Sequence, residues 1–320
     1  MKALNLQLKY ELSKINQKPL ESIFIGGGTP SSVEIENYIE IFKTLEEYID
    51  SNTEITFEVN PNSASLQWLE GIKNLGATRV SFGVQSFDNE KLKFLGRNHS
   101  KEQAINAINS AKKVGFEHIN MDIIYDTSID TKQLIENDLQ IIQNLPIDHI
   151  SAYSLTIEEG TKFFKKPQSK IENLDIASFL FNALKEYGFK QYEISNFSKN
   201  KLSQSKHNYG YWTKTDYLGV GAGAVGTLNK QRYYPQKDVQ LYINNPLSYE
   251  EIEDISNGDM LFETIFLGLR SDVGVSLALF NETQKNKIEI LIQEKKLIKK
   301  DSRVYNPNFL LTDEIVLFID

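Results

Sequence analysis

The sequence predicts an α/β protein built around a parallel sheet and followed by a smaller α-rich domain. Short β-rich runs alternate with amphipathic helical patterns along most of the chain, which is typical of repeated β/α units. Several helical patterns end in glycine, at Gly76, Gly115 and Gly188, where a left-handed C-cap is readily formed. The alternation ends near Gly226, and the pattern is mostly helical from Ser248 onward. These observations indicate two domains of different architecture.

Composition narrows the class of protein. The chain has 320 residues, of which 40% are apolar and 24% charged, as is ordinary for a folded globular protein. Its net charge of −8 argues against a broad nucleic-acid or anionic-membrane surface, because either needs an excess of Lys and Arg. No apolar run approaches the roughly 20 residues that span a bilayer. The absence of cysteine excludes disulfides, thiol nucleophiles and thiolate-bound metal centres on this chain.

The secondary structure is predicted element by element from periodicity. The N-terminal segment, "MKALNLQLKYELSKINQ", predicts an amphipathic helix with Leu4, Leu8, Leu12 and Ile15 on one face. It lacks the continuous apolar core of a signal peptide, so a cytoplasmic location is expected. Strands are predicted at 22–26, 54–60, 79–85, 118–125, 149–155 and 191–197. Helices are predicted between them at 34–49, 65–75, 101–114, 131–144 and 171–187.

The C-terminal part of the chain is predicted as a separate small domain at about residues 236–320. Residues 232–241, "RYYPQKDVQL", indicate irregular connecting chain. The last stretch, "LIKKDSRVYNPNFLLTDEIVLFID", indicates the end of a helix, a short hairpin, and a final strand or helix.

Polar residues fall at the carboxyl ends of the predicted strands, where parallel α/β sheets bind ligands. The first strand runs into Gly26-Gly27-Gly28-Thr29, and the next three carry Glu58, Gln85 and Asp122. The fifth strand leads to Thr156. An unpaired carboxylate is costly to bury in an apolar strand, so these positions predict a pocket. Its lining suits a polar, cationic ligand that bears hydroxyls and an amino-acid portion.

Each of these features also has a purely structural interpretation. The glycine triplet is then only a tight turn, and Glu58 and Asp122 pair with Arg79 or Arg97. A third interpretation is an unrelated barrel enzyme that uses the glycines as a phosphate cradle.

A series of motifs occurs in the order and spacing of a known family: FIGGGTPS, EVNP, RVSFGVQSFDNEKLKFLGRNH, NMDIIYD, YEISNF, HNYGYWTKTDYLGVGAGA and ETIFLGLRSDVGV. They resemble the radical S-adenosylmethionine (SAM) proteins related to oxygen-independent coproporphyrinogen III oxidase, and most of all the HemW-type haem chaperones. The resemblance implies a partial parallel (β/α)6 barrel of the radical SAM type at residues 1–235. It implies a small helical C-terminal domain at 236–320.

The resemblance also implies a set of SAM-binding residues. The family's glycine motif approaches the methionyl part of SAM and corresponds here to Gly27, Gly28 and Thr29. A side chain at the glycines would obstruct close contact with the backbone. The other matching positions are Glu58, Gln85, Arg97, Asp122 and, with a weaker local match, Thr156.

One family feature has no counterpart in this sequence. Family members begin with a strand and a CxxxCxxC motif, which binds three irons of a [4Fe–4S] cluster and leaves the fourth iron for SAM. That first strand and loop, roughly 30 residues by the length of a β/α unit, do not occur here. The chain is therefore expected to carry no metal ligands and no radical activity as written. Either Met1 is an internal methionine of a longer protein, which the intact SAM-lining residues favour, or the chain is a natural cluster-free descendant.

The segment after the sheet matches the HNxxYW motif of the haem-chaperone branch. The resemblance implies that His207 supplies an imidazole for haem iron, while Tyr211 and Trp212 offer flat apolar surfaces to the macrocycle. The structural alternative is a core cluster that anchors the linker to the second domain.

The resemblance therefore implies a haem chaperone that binds SAM and haem. Its expected partners are respiratory haem proteins at the membrane, reached from the cytoplasm or from the inner-membrane surface. The alternative is oxygen-independent coproporphyrinogen III oxidation in porphyrin biosynthesis, with a porphyrinogen as substrate. The HNxxYW segment favours the chaperone.

Overall fold

The computed structural model describes residues 1–16 and 18–320. Its strands, in chain order, are β1 (Ser22–Ile25), β2 (Glu54–Val59), β3 (Arg79–Gln85), β4 (His118–Tyr125), β5 (His149–Ser154), β6 (Lys190–Gln191), β7 (Asn196–Ser198), β8 (Gly226–Leu228), β9 (Gln231–Pro235), β10 (Tyr249–Asp254), β11 (Val275–Ser276), β12 (Ile298–Lys300) and β13 (Arg303–Tyr305). Its α-helices are α1 (Lys2–Leu12), α2 (Glu36–Leu45), α3 (Leu66–Asn74), α4 (Asn89–Phe94), α5 (Lys101–Val114), α6 (Lys132–Ile142), α7 (Leu174–Glu186), α8 (Lys206–Trp212), α9 (Val239–Asn244), α10 (Asn257–Leu269), α11 (Glu282–Gln293) and α12 (Thr312–Ile319).

The chain divides into two compact units. The first, called here the sheet unit, comprises Ser22–Ile35 and Glu54–Ser205. The second unit comprises Met1–Glu21, Glu36–Thr53 and Lys206–Asp320. The predicted domain boundary between residues 235 and 236 stays a prediction. The compact units are a different division of the chain, in which the sheet unit ends at Ser205 and the second unit resumes at Lys206.

The sheet unit confirms the predicted mostly parallel α/β arrangement. Its strand order is β1-β2-β3-β4-β5-β7-β6, and β1 to β5 are parallel. The prediction of one parallel strand at 191–197 is wrong, because β7 runs antiparallel to both β5 and β6. A bend between β6 and β7 reverses the chain, and the Glu193 carboxylate accepts the Ser195 N–H there at 3.2 Å. Such local side-chain bonds compete with a continuous strand.

Strand alternation gives the sheet one apolar face, which carries the core of the unit. Every second side chain on β2, β3 and β4 is aliphatic or aromatic and buried: Ile55, Phe57, Val59, Val80, Phe82, Val84, Ile119, Met121 and Ile123. The buried stripes of α3, α5, α6 and α7 supply the opposing apolar surface. Because this face takes up the apolar residues, the polar residues of the same strands lie on the other face.

The second unit contains more β-structure than the sequence pattern predicts. Residues 232–241 were predicted to be irregular, which is wrong, because β9 lies between β8 and β10 in an antiparallel sheet and α9 follows it. The hairpin turn uses Asn229 and Lys230, both with positive φ (54° and 63°). Hairpin turns favour this geometry, but the pair lacks the Asn-Gly signature that makes it visible in a sequence.

The C-terminal hairpin is confirmed as β12 and β13, and the last element is the helix α12. Helices α10, α11 and α12 share an apolar core with this small sheet, including Leu269, Ile288, Val304 and Ile315. The fold thus includes the predicted helical C-terminal region.

The N-terminal helix is shorter than predicted. Helix α1 ends at Leu12, and Leu8 and Leu12 are buried as the pattern predicts. The predicted helix reached Gln17, which lies outside the described residues. Gln7 is fully buried, and its Oε1 accepts the N–H of Gly221 at 2.8 Å. Within residues 1–16 and 18–320, no helix has the length and apolar character needed to cross a membrane.

Candidate functional site

The candidate site lies on the polar face of the sheet. Neighbouring positions in register share one face, and the register pairs Glu58 with Ser81, Ser81 with Asn120, and Asn120 with His149. The Asn120 side-chain amide donates to Ser81 Oγ at 2.6 Å, which confirms that these side chains meet. Polar residues therefore extend along the whole polar face of the sheet. They are not confined to the carboxyl ends of its strands, as the sequence pattern predicts.

The amino-terminal layer of this face is structural. Arg79 Nε lies 3.0 Å from Glu54 Oε2, and both side chains are buried. The Arg79 guanidinium also donates to the carbonyl oxygens of Ser203 and Gln204. The proposed pairing of Arg79 with Glu58 or Asp122 is therefore wrong, because Arg79 lies on the layer that contains Glu54. Because the Arg79 guanidinium bonds to these groups, it does not pair with the site carboxylates Glu58 and Asp122.

Two histidines of the strand starts also have structural partners. His149 bonds to Asn120 Oδ1 at 2.6 Å and to the Tyr192 hydroxyl at 2.8 Å. Burial lowers the pKa of His149 well below its ordinary value, so it is neutral near pH 7. His118 pairs with Asp148 at 2.7 Å. The hydrogen bonds of both residues therefore belong to the structure of the sheet unit.

The glycine turn after β1 joins the second strand through a hydrogen bond. The N–H of Gly27 donates to Glu58 Oε2 at 3.0 Å. Gly27 and Gly28 have positive φ values of 74° and 47°, and a Cβ built on either meets no atom within 4 Å. A Cβ at Gly26 would lie 2.5 Å from Phe24 Cε1 and 3.0 Å from Glu58. The turn therefore requires glycine for two reasons, its left-handed backbone and its close approach, and it leaves open space beside Gly27 and Gly28.

The two site carboxylates are both partly desolvated. Burial raises the pKa of Glu58, and the Gly27 hydrogen bond opposes that shift. Burial raises the pKa of Asp122 to about 6, and the negative charge of Glu58 adds to the shift. Asp122 Oδ1 accepts from the Asn120 amide at 2.8 Å. The structure thus brings Glu58 and Asp122 together on one face, where neither has a cationic partner in the described chain.

The remaining predicted residues lie at the ends of their strands or beyond them. Gln85 is buried and closes β3 with a φ of 71°. Arg97 is exposed, and its guanidinium forms no ion pair with the residues that the structure describes. Thr29 and Thr156 are also exposed. The structure shows direct contact between Gly27 and Glu58, but none that joins Arg97 or Thr156 to them.

Tyr153 belongs to the same face and was not predicted from the sequence. Strand alternation places it with Ser151, which is in register with Asp122. Burial raises the pKa of Tyr153, and the charges of Asp122 and Glu193 add to that shift. The signal was its even spacing from Ser151, but an aromatic residue in a strand is more often part of the apolar face.

The residues present fit SAM. The open space at Gly27 and Gly28 admits a ligand against bare backbone, and the side chains of Thr29 and Arg97 are exposed. Glu58 and Asp122 are carboxylates without a cation, and an ammonium or sulfonium group would supply the missing positive charge.

The residues present do not fit an iron–sulfur cluster. The chain has no cysteine, and the part of the chain that the structure describes groups no three His, Asp or Glu side chains that could hold a metal ion.

The predicted haem residues lie in the second unit, on α8. His207 and Tyr211 are one helical turn apart, and their rings meet edge to face with centroids 5.0 Å apart. Tyr211 also packs edge to face on Tyr217, at 4.8 Å. Every residue of α8 keeps some solvent access, and Tyr211 is 39% exposed. The haem site and the alternative of a core cluster that anchors the linker therefore both stay predictions.

Comparison with known proteins gives consistent results. The radical SAM superfamily profile matches residues 6–137. The chain is 30% identical to "Heme chaperone HemW" of Bacillus subtilis over 296 residues, which cover 88% of this chain and 78% of that protein. It is 33% identical to the protein of the same name from Haemophilus influenzae, covering 92% of this chain and 81% of that one.

A solved structure, the coproporphyrinogen III oxidase HemN of Escherichia coli, which is described as a radical SAM enzyme, matches with a TM-score of 0.82. The match covers 100% of this chain and 82% of that one, at 20% identity. At that identity the likeness concerns the fold.

Proposed function

Because the chain belongs to the HemW family of radical SAM proteins, we propose that it is a haem chaperone that binds SAM in its sheet unit and haem at α8. The observation that carries the proposal is the solvent access of the imidazole and aromatic side chains of α8. A helix of core-anchoring residues would bury them. Respiratory haem proteins at the membrane are the proposed recipients, with a cytoplasmic or inner-membrane surface location for the chaperone.

The proposed SAM site uses the polar face of the sheet. Glu58 and Asp122 neutralise the positive charge of the ligand, and Gly27 and Gly28 allow its methionyl part to approach the backbone. Gln85, Arg97, Thr29 and Thr156 complete the predicted lining. When bound, SAM supplies an activated sulfonium centre. The protein holds Glu58 by the Gly27 N–H, so its carboxylate is oriented before the ligand arrives.

The proposed haem site uses His207 as an axial ligand. Its ring meets the Tyr211 ring edge to face, which restricts the rotation of both, and the Tyr211 ring offers an apolar surface to the macrocycle. Trp212 is half-buried, and its indole Nε1 has no hydrogen-bond partner in the described chain. Because that nitrogen is itself buried, Trp212 offers haem the apolar face of its indole and not a donor for the propionates.

A spectroscopic haem titration tests the proposal. We expect the chain to bind ferric haem with the absorption spectrum of histidine ligation, and His207→Ala to weaken binding by about tenfold or more. His118→Ala is the matched control, because it removes another half-buried histidine from the sheet unit. Equal affinity of the wild type and His207→Ala, both folded, would remove His207 from the site.

A transfer experiment tests the delivery role. Haem-loaded chain is mixed with an apo-haem protein, and the appearance of the acceptor's spectrum reports transfer. Selective binding of a porphyrinogen, with no uptake of haem, would instead favour the oxidase-like alternative. Absence of SAM uptake by calorimetry would overturn the SAM part of the proposal independently of haem.

A further inference from the structure

Gln85 has a backbone conformation that its surroundings must maintain. Its φ of 71° lies in the left-handed region, which non-glycine residues rarely adopt. The pairing of β3 with β4 shifts between Phe82 and Gln85, so the strand is irregular at this point. Gln85 is 6% exposed and is a predicted SAM contact. Strain of this kind persists only where neighbouring groups fix the backbone.

His99 bonds directly to the peptide group that precedes Gln85. Its Nε2 lies 2.9 Å from the Val84 carbonyl oxygen, and the side chain is 4% exposed. A carbonyl oxygen only accepts hydrogen bonds, so Nε2 carries the hydrogen and Nδ1 is unprotonated in the neutral ring. Burial lowers the pKa of His99, and the neighbouring Arg97 adds to the shift, so the ring is neutral near pH 7.

The other ring nitrogen shows that His99 is not there for packing alone. Nδ1 is buried and has no hydrogen-bond partner among residues 1–16 and 18–320. A buried, unpaired polar atom costs stability, and an apolar ring of similar size would avoid that cost. The Nε2 bond to Val84 is therefore the one polar contact of the ring in the described structure that accounts for a histidine at this position.

The backbone of His99 is itself held in place. Ser100 follows it directly and forms a capping box with Gln103 at the start of α5. On the other side, the Arg97 N–H donates to the Leu92 carbonyl at 2.8 Å. His99 thus stands on a rigid segment that also carries Arg97.

We infer that His99 is a positioning residue that fixes the Val84–Gln85 peptide and thereby directs the Gln85 side chain toward SAM. The peptide group is planar, so holding the Val84 oxygen fixes the orientation of the Gln85 N–H and limits rotation about its φ angle. The inference rests on the proposed SAM site and adds a residue that does not itself touch the ligand.

Three variants of His99 test this role by calorimetric titration of the full chain with SAM. His99→Ala removes the donor, and we expect about a tenfold loss of affinity. A glutamine amide nitrogen takes the place of Nε2, whereas an asparagine amide nitrogen takes that of Nδ1. We therefore expect His99→Gln to retain affinity within about threefold and His99→Asn to lose as much as His99→Ala.

A double-mutant cycle separates positioning from general damage. If His99 acts through Gln85, Gln85→Ala combined with His99→Ala loses no more affinity than Gln85→Ala alone. Additive losses would overturn the inference, as would unchanged affinity in a folded His99→Ala variant. His118→Ala is the control. His118 is the first residue of β4, at the other end of this strand from Ile123, which pairs with Gln85. The substitution removes a histidine hydrogen bond and should lower stability without changing SAM affinity.

A second measurement does not depend on SAM. In protein labelled with 15N-glutamine, the Gln85 backbone amide is identified by its loss in Gln85→Ala. We expect that resonance to shift or broaden in His99→Ala and His99→Asn, and to stay in place in His99→Gln and His118→Ala. An unmoved resonance in His99→Ala would overturn the inference. If the wild type takes up no SAM, the proposed function fails while this comparison still decides whether His99 holds Gln85.

Discussion

The N–H of Gly27 and the carboxylate of Glu58 are 3.0 Å apart, which joins the bare turn after β1 to the acidic end of β2. The bond gives Glu58 a fixed direction in a site where burial already raises its pKa. The same residue stands 3.0 Å from a Cβ built on Gly26, so the turn and the carboxylate are packed as one structure. Substitutions at the turn therefore report on the site and not only on local folding.

We predict that Gly27→Ala reduces SAM affinity by about tenfold or more, because its methyl group enters the open space proposed for the ligand. The left-handed φ of 74° also costs about 1–2 kcal/mol of stability once a Cβ is present. Calorimetry with SAM and chemical denaturation measure the two effects separately.

Gly115→Ala is the matched control for this prediction. Gly115 also has a positive φ, of 97°, and its built Cβ meets no atom within 4 Å, but it caps α5 outside the site. It should lose similar stability and keep its SAM affinity. Equal losses of affinity in the two variants would contradict a ligand site at Gly27.

SAM affinity should rise with pH because of Asp122. Burial raises the pKa of Asp122 from 3.8 to about 6, so its charge develops as pH increases through about 6. The ionised form attracts a cationic ligand, while the free protein loses stability from about pH 3.8 to about pH 6, because over that interval the folded state binds the Asp122 proton more tightly than the unfolded chain does. Titrations from about pH 5 to about pH 7 should show the rise, and Asp122→Asn should flatten it. A slope that persists in Asp122→Asn would assign the titration to another group.

The profile should move when Glu58 loses its charge. Because the charge of Glu58 contributes to the raised pKa of Asp122, Glu58→Gln should lower that pKa and shift the midpoint of the affinity profile to lower pH. Total affinity should fall at the same time, since one of the two carboxylates is removed. A midpoint that stays in place would show that the two residues are not electrostatically coupled.

The stability of the protein should depend on a buried ion pair between Lys91 and Asp130, which lies in the loop after β4. Lys91 Nζ lies 2.6 Å from Asp130 Oδ1, and each side chain is 1% exposed. Lys91→Met leaves the carboxylate buried without its cation, so we expect a loss of about 3–5 kcal/mol in the free energy of unfolding. Urea denaturation measures it.

Two further variants complete that experiment. Adding Asp130→Asn to Lys91→Met should recover most of the loss, because the amide oxygen still accepts the Thr127 N–H. Lys285→Met breaks the exposed pair with Glu282 and should change stability by less than about 1 kcal/mol. Similar losses at Lys91 and Lys285 would show that burial does not strengthen the pair.

The sequence predicts the parallel part of the fold well because strand alternation and helix periodicity are local signals. Strands β3 and β4 and helix α5 begin and end where the pattern places them. The reversal before β7 and the hairpin at Asn229 and Lys230 were missed, since each depends on one bend whose residues carry no strong turn signature. The site residues Glu58, Gln85 and Asp122 were also predicted, because each is a polar residue toward the carboxyl end of a predicted strand.

What the sequence could not predict is which polar residues pair with which. Arg79 was a plausible partner for Glu58, but strand register pairs Arg79 with Thr56, and its side chain reaches Glu54, four positions nearer the start of β2 than Glu58. His99 follows Arg97 closely in the sequence, but its bond to Val84 depends on how the loop after α4 returns to β3. Such contacts follow from tertiary packing, which a periodic pattern does not contain.

The two edge strands of the sheet, β1 and β6, differ in how well they prevent strand pairing between two molecules. At one end, the outermost strand β6 has two residues and carries Lys190, and short charged edges discourage the pairing of one molecule with another. At the other end, β1 has Ile23, Phe24 and Ile25 in a row and pairs with β2 on one side. Aggregation at high concentration should therefore begin through β1, and Ile23→Lys should delay the rise of light scattering that reports it.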